Sequence, residues 1–217
     1  NLFAKYLESC TVSCRGNLFV EEAIMHSYAT VWNHCVLNGR RAEVIAGELI
    51  VGGSFWSKKL GNLYEASTRL FVGTPPELVR EYRRSEEELK RKEERANSLE
   101  SKIDQLEHAI REGHREEKVL LARDQLEEEL GELNQESETL RRQLPALKDR
   151  LEPAGKSVVV VEEAIFSGVV IAFGKREYRP PQKGARKSVL KAGRSAIQES
   201  GFDPSDPPTL DFEKGTA

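Results

Sequence analysis

The chain has 217 residues, a net charge of −3, and 32% of its residues charged, against roughly 25% in an ordinary globular domain. It has no apolar run as long as the ~18 residues that a membrane-spanning helix needs and no phosphate-cradling GxxxxGK[ST] loop. It starts with Asn inside what reads as a repeat, so a piece of a longer polypeptide is expected.

Residues 1–76 carry the strand signal. Asn1-Leu2-Phe3 returns as Asn17-Leu18-Phe19. Gly16-Asn17-Leu18-Phe19-Val20 also resembles Gly53-Ser54-Phe55-Trp56-Ser57 and Gly47-Glu48-Leu49-Ile50-Val51. Between these frames run short alternating stretches, which on a strand send Cys10, Val12 and Cys14, then Ser27, Ala29 and Val31, to one face. These inward residues are small, as a narrow interior requires, and Gly16, Gly39, Gly47 and Gly52-Gly53 stand where the chain must turn. A strand-corner-strand unit of this length cannot bury its face alone, whereas stacked coils can. The spacing therefore predicts a parallel β-solenoid, with an ordinary antiparallel sandwich as the rival.

Cys10, Cys14 and Cys35 make an odd count. On one strand Cys10 and Cys14 lie about 13 Å apart, too far for a disulfide. No CxxC or histidine cluster completes a metal site, so buried, reduced thiols in a cytoplasmic setting are expected.

Over residues 77–151 the period changes. Leu78, Tyr82, Ser85, Leu89, Lys92, Ala96, Leu99, Ile103, Leu106 and Ile110 step by fours and threes, and Val119, Arg123, Leu126, Leu130, Leu133, Ser137, Leu140, Leu144, Leu147 and Leu151 resume after the tip. These are heptad a and d positions of two helices. The two rows pair antiparallel, Ile110 with Val119, Ile103 with Leu126, Leu99 with Leu130 and Leu78 with Leu151. A hairpin of arms about 50 Å long follows; a parallel dimeric coiled coil is the competing reading. Lys92 opposite Ser137 and Leu106 opposite Arg123 are weak layers, and Pro145 is expected to kink or restart the second helix.

Residues 156–178 resume β-branched runs, Val158–Val161 and Val169–Phe173, expected to pair with the coils that the chain left, so the fold class is mainly β with an α insertion. Residues 179–217 read as the end of a basic segment and a tail rich in proline and acid. From Lys175 to Arg194 eight residues are basic and one, Glu177, is acidic. A loosely packed surface segment is the first reading of it, and contact with nucleic acid or anionic lipid the second.

At this point the stretches "NLFAKYLESCTVSCRGNLFVEEAIMHSYATV", "AEVIAGELIVGGSFWSKKLG", "LFVGTPPEL" and "EEAIFSGVVIAFG" resemble, in this order, the solenoid region of the bacterial flagellar assembly protein A family over residues 1–175. The resemblance implies a cytoplasmic bacterial protein, with a separate domain ahead of the solenoid, working in flagellar assembly or placement through protein partners. The solenoid is also similar to that of a bacterial division-site regulator.

Catalysis is not expected. His26, His34, His108 and His114 are scattered, and although His26 and His34 would meet if they lay on neighbouring coils, only Glu21 and Glu22 offer carboxylates nearby. No cofactor is expected either. The arms project a surface whose tip residues Arg111, Glu112, His114 and Arg115 are the candidate partner-binding group, with placement at the cell pole or flagellar base. The rival is a homo-oligomer: open strand edges stacking end to end into a bactofilin-like polymer.

Overall fold

The computed structural model describes residues 1–113, 116–153, 156–193 and 196–210. Two compact units emerge, Arg80–Lys148 and the remainder.

The larger unit is a parallel β-solenoid. Its strands are β1 (Leu2–Glu8), β2 (Thr11–Cys14), β3 (Leu18–Val31), β4 (Cys35–Leu37), β5 (Glu43–Val51), β6 (Phe55–Leu60), β7 (Thr68–Val72), β8 (Val158–Ile165) and β9 (Val169–Phe173). Successive coils stack in register along three ladders. The first runs Leu2, Leu18, Cys35, Phe55, Val159. The second runs Leu7, Ile24, Val44, Leu60, Ile165, and the third Val12, Ala29, Leu49, Leu70, Ile171. These inward rows form one apolar core. Burying a leucine- or phenylalanine-sized side chain contributes about 1.5–3 kcal/mol, and no coil has a face of its own to do it with.

The repeated Asn-Leu-Phe is thus one coil step, with Leu2 beside Leu18 and Phe3 beside Phe19. The frame at Gly53 belongs to the same ladder, because the Gly53 amide donates to Asn33 O and the Asn33 amide to Gly16 O. The frame at Gly47 does not. Gly47–Val51 stacks on Ser27–Val31, in the third ladder, so its likeness to the Asn-Leu-Phe frame reflects shared strand chemistry and not an equivalent place in the coil.

The row Ser27, Ala29, Val31 points inward as expected, all three buried. The corner before it is tight. Ser9, His26, Ala46 and Gly168 each adopt positive φ there, at 49, 47, 59 and 84°. Gly47, next in the chain, has φ 100°, and a Cβ on it would lie 2.1 Å from Ser27 O. Only glycine fits that step of the stack.

Chain leaving the coils at Val72 returns at Val158, one coil on. Between lie α1 (Pro76–Arg111) and α2 (Glu117–Arg150), a single insertion. Glu77, in the first turn of α1, accepts from the Trp32 indole N–H, which ties the helix start to the second coil. In the smaller unit Ala96, Leu99, Ile103 and Ser137 are buried, all on the expected a/d rows. Pro145 does not break α2, which is continuous to Arg150.

After β9 the ladders end in antiparallel pairing. The short β10 (Arg176–Tyr178) folds back on β9. Then β11 (Ser188–Ala192) pairs with β8, and β12 (Ile197–Gly201) with β11. This corrects the expectation of a loose segment here: Val189 and Leu190 are buried, Leu190 joining the core left open by the last parallel coil and Val189 packing with Val158 and Val160 on the outer face. The basic residues around them hide a strand too short for a period to be read.

Candidate functional site

Two features of the solenoid decide what its surface offers. The first is a line of polar side chains up one corner, each accepting from the backbone of the next coil. Asn1 Oδ1 takes the Asn17 N–H at 2.9 Å, and Asn17 Oδ1 takes the His34 N–H at 3.0 Å. His34 Nδ1 takes the Ser54 N–H at 2.9 Å, and Ser54 Oγ takes the Val158 N–H at 3.1 Å. Corners leave backbone donors outside the ladders, and a buried unmade hydrogen bond costs about 1–3 kcal/mol. The side chains make good that loss at every step. Ser27 and Thr68 act in the reverse sense at another corner, accepting from the amides of Cys10 and Ala46 in the preceding coil.

His34 is accordingly a structural acceptor. His26 occupies a different corner, with Ser9 and Ala46 as its counterparts, so the two histidines do not come together. Among the described residues no three His, Cys, Asp or Glu side chains converge as a metal ion would require. The three cysteines are free thiols. Burial, and secondarily Cys14, push the Cys35 thiol far above its ordinary range, so Cys35 stays protonated as a packing residue beside Leu18 and Phe55. Tyr178 is pushed up to about 12, first by burial and then by its hydrogen bond to Glu199.

The second feature is the outward row of the first ladder, Phe3, Phe19, Val36, Trp56, Val160. Phe3 and Phe19 stack with ring centres 4.9 Å apart. Trp56 meets Phe202 edge-on and donates to Glu162, and Leu210 packs on the same cluster. Segment 202–210 therefore covers part of that row. Its proline- and acid-rich composition gave no hint of such a role beyond the two apolar residues themselves.

Within the arms the facing surfaces are laced by charge. Lys92 pairs with Glu136, Arg95 with Glu129 and Arg141 with Glu93. Relative to the Leu99–Leu130 register, the Arg95 and Arg141 pairs are displaced by equal steps in opposite directions, as pairs flanking both sides of an antiparallel seam must be. The Glu136 hydrogen bond raises the Lys92 pKa above its ordinary value. Of the candidate tip residues, Arg111 at the end of α1 reaches back to Glu107, and Glu112 just beyond it to His108, and both are exposed. Gly113 ends the helix with φ 107°. His114 and Arg115 lie outside the described residues.

A parallel solenoid with an apolar core, side-chain-bonded corners and a helical insertion defines a β-solenoid protein. A family model, the Flagellar Assembly Protein A beta solenoid domain, matches residues 1–194, and the chain belongs to that family. No curated protein and no solved structure matches the chain.

Proposed function

We propose that the protein is a non-catalytic scaffold in bacterial flagellar assembly, cytoplasmic and placed at the cell pole or flagellar base, which binds protein partners through its helical arms. The observation that carries this reading is the form of the insertion. The core of the solenoid is complete without it, since Val159 stacks directly on Phe55. Yet the chain spends two helices of about 50 Å each on arms whose surface is mostly charged and whose seam is held by cross-arm ion pairs. Surface ion pairs add only about 0.2–1 kcal/mol each, so stability of the body is not what the arms supply. A preorganised helical surface that carries exposed Arg111 and Glu112 where α1 ends, with His114 and Arg115 following in the sequence, is suited to recognition.

The experiment replaces residues 80–148 by a tight turn in the native bacterium. Lost flagellation, together with loss of crosslinked flagellar or polar proteins, is expected. Unchanged flagellation and an unchanged crosslinked set would remove the arms from the function. A self-assembling polymer is the rival, because parallel coils can stack end to end through their strand edges. The antiparallel strands β10 to β12 lie where the ladders end after β8 and β9 and argue against continuous stacking there. Sedimentation that grows with concentration into large species would favour the polymer.

A further inference from the structure

We infer that one corner of the solenoid is a peripheral membrane-binding site, which takes an anionic lipid surface through the tip Leu63-Tyr64 and the cations Lys183, Arg186 and Lys187. Leu63 and Tyr64 are 82% and 91% exposed, more than any other large apolar side chain among the described residues. Their loop is nonetheless built and held. Asn62 Oδ1 accepts from the Tyr64 and Ala66 amides at 3.1 and 3.2 Å. Glu65, at φ 55°, accepts from the Ser167 hydroxyl at 2.8 Å. An apolar tip fixed in this way loses little conformational entropy when it is buried.

The same corner continues into the basic turn. The Phe166 amide donates to Leu60 O, placing the 165–168 turn directly on the Leu63-Tyr64 coil. Ile165 and Ala185 exchange backbone hydrogen bonds at 2.8 Å, and a Cβ on Gly184 would lie 2.6 Å from Ile165 O. Residues 183–187 therefore stack next along that edge. Lys183, Arg186 and Lys187 are exposed, and none has an ion-pair partner among the described residues. Of the acids nearby, Glu163 is paired with Lys59 at 3.6 Å, and Glu65 is engaged by Ser167.

A leucine and a tyrosine on a convex tip, flanked by unpaired cations, match the layering of a bilayer surface. The apolar side chains enter below the headgroups, the phenol stays at their level, and the ammonium and guanidinium groups meet phosphate. A convex tip needs a soft acceptor more than a shaped cleft, which favours lipid over a folded partner. No described helix is long and apolar enough to cross a membrane, and the contact inferred is with the bilayer surface. Each basic side chain near an anionic leaflet strengthens binding by about fivefold. The site uses no residue of the arms.

The test is flotation of the whole chain with vesicles of phosphatidylcholine alone and of phosphatidylcholine with phosphatidylglycerol. Binding to the anionic vesicles only is expected. The pair Leu63→Ser/Tyr64→Ser and the set Lys183→Glu/Arg186→Glu/Lys187→Glu are each expected to weaken it at least about tenfold, with unchanged melting temperatures as the check that they fold. No flotation of the unaltered chain with anionic vesicles would overturn the inference. So would flotation indifferent to either variant. Flotation that survives the loss of Leu63 and Tyr64 and is competed away by duplex DNA would replace the lipid site by general polyanion binding.

Discussion

The corner ladder of side-chain acceptors makes a graded prediction. Replacing Asn17 by Ala removes the acceptor of the His34 amide, a bond of 3.0 Å spanning two coils. Asn17 is buried, so water does not readily take over, and the cost is that of an orphaned donor, about 1–3 kcal/mol. For a chain of this size that corresponds to a fall in Tm of roughly 2–4 °C per kcal/mol. Asn1→Ala removes the equivalent acceptor for the Asn17 amide, but Asn1 is exposed and a solvent-side rung is worth about 0.5 kcal/mol. Urea titrations of both variants followed by β-sheet circular dichroism give the comparison, with the m-value held as the control for unfolded-state effects. Equal losses at Asn1 and Asn17, or a loss at Asn17 below about 0.3 kcal/mol, would refute the view that these side chains replace ladder hydrogen bonds.

Gly47→Ala places a Cβ against Ser27 O at positive φ and is expected to destabilise by about 2–4 kcal/mol, measured in the same titration. In the arms, Ser137 is buried with its hydroxyl unpartnered, so Ser137→Ala is expected to raise helix stability by about 1 kcal/mol, read from the melting of the 222-nm signal. Cys35 keeps its proton when folded, because its pKa is raised above the ordinary value of 9.0, whereas the unfolded thiol loses it. The unfolded state then binds fewer protons above pH 9, and stability falls there by up to about 1.4 kcal/mol per pH unit from this group. Cys35→Ala should flatten that part of the pH–stability curve relative to the parent. In native protein Cys35 should also resist a thiol reagent until urea is added, while the partly exposed Cys10 reacts first.

Much of the fold is legible one stretch at a time. Alternation identifies Ser27, Ala29 and Val31 as an inward row, and the step of fours and threes identifies the arms, because burial imposes a period of two on strands and three-and-a-half on paired helices. The antiparallel register of the arms is readable for the same reason: both rows lie close to one tip and must match along their length. The repeated Asn-Leu-Phe even marks the coil step itself. What a local pattern does not carry is the place of a strand around the coil. Gly47–Val51 looks like the Asn-Leu-Phe frame and stacks elsewhere, since the three ladders ask for the same kinds of residue. His26 and His34 fall on separate corners for a reason visible only once the coils are closed. Leu190 becomes core because a parallel stack needs its last open face covered, and that demand comes from β8, far away in the chain. Likewise Leu63-Tyr64 and Lys183–Lys187 become neighbours only because the insertion is looped out and the coils on either side of it stack. Period and composition are properties of a segment; which segments share an edge is set by the stacking that buries them all at once.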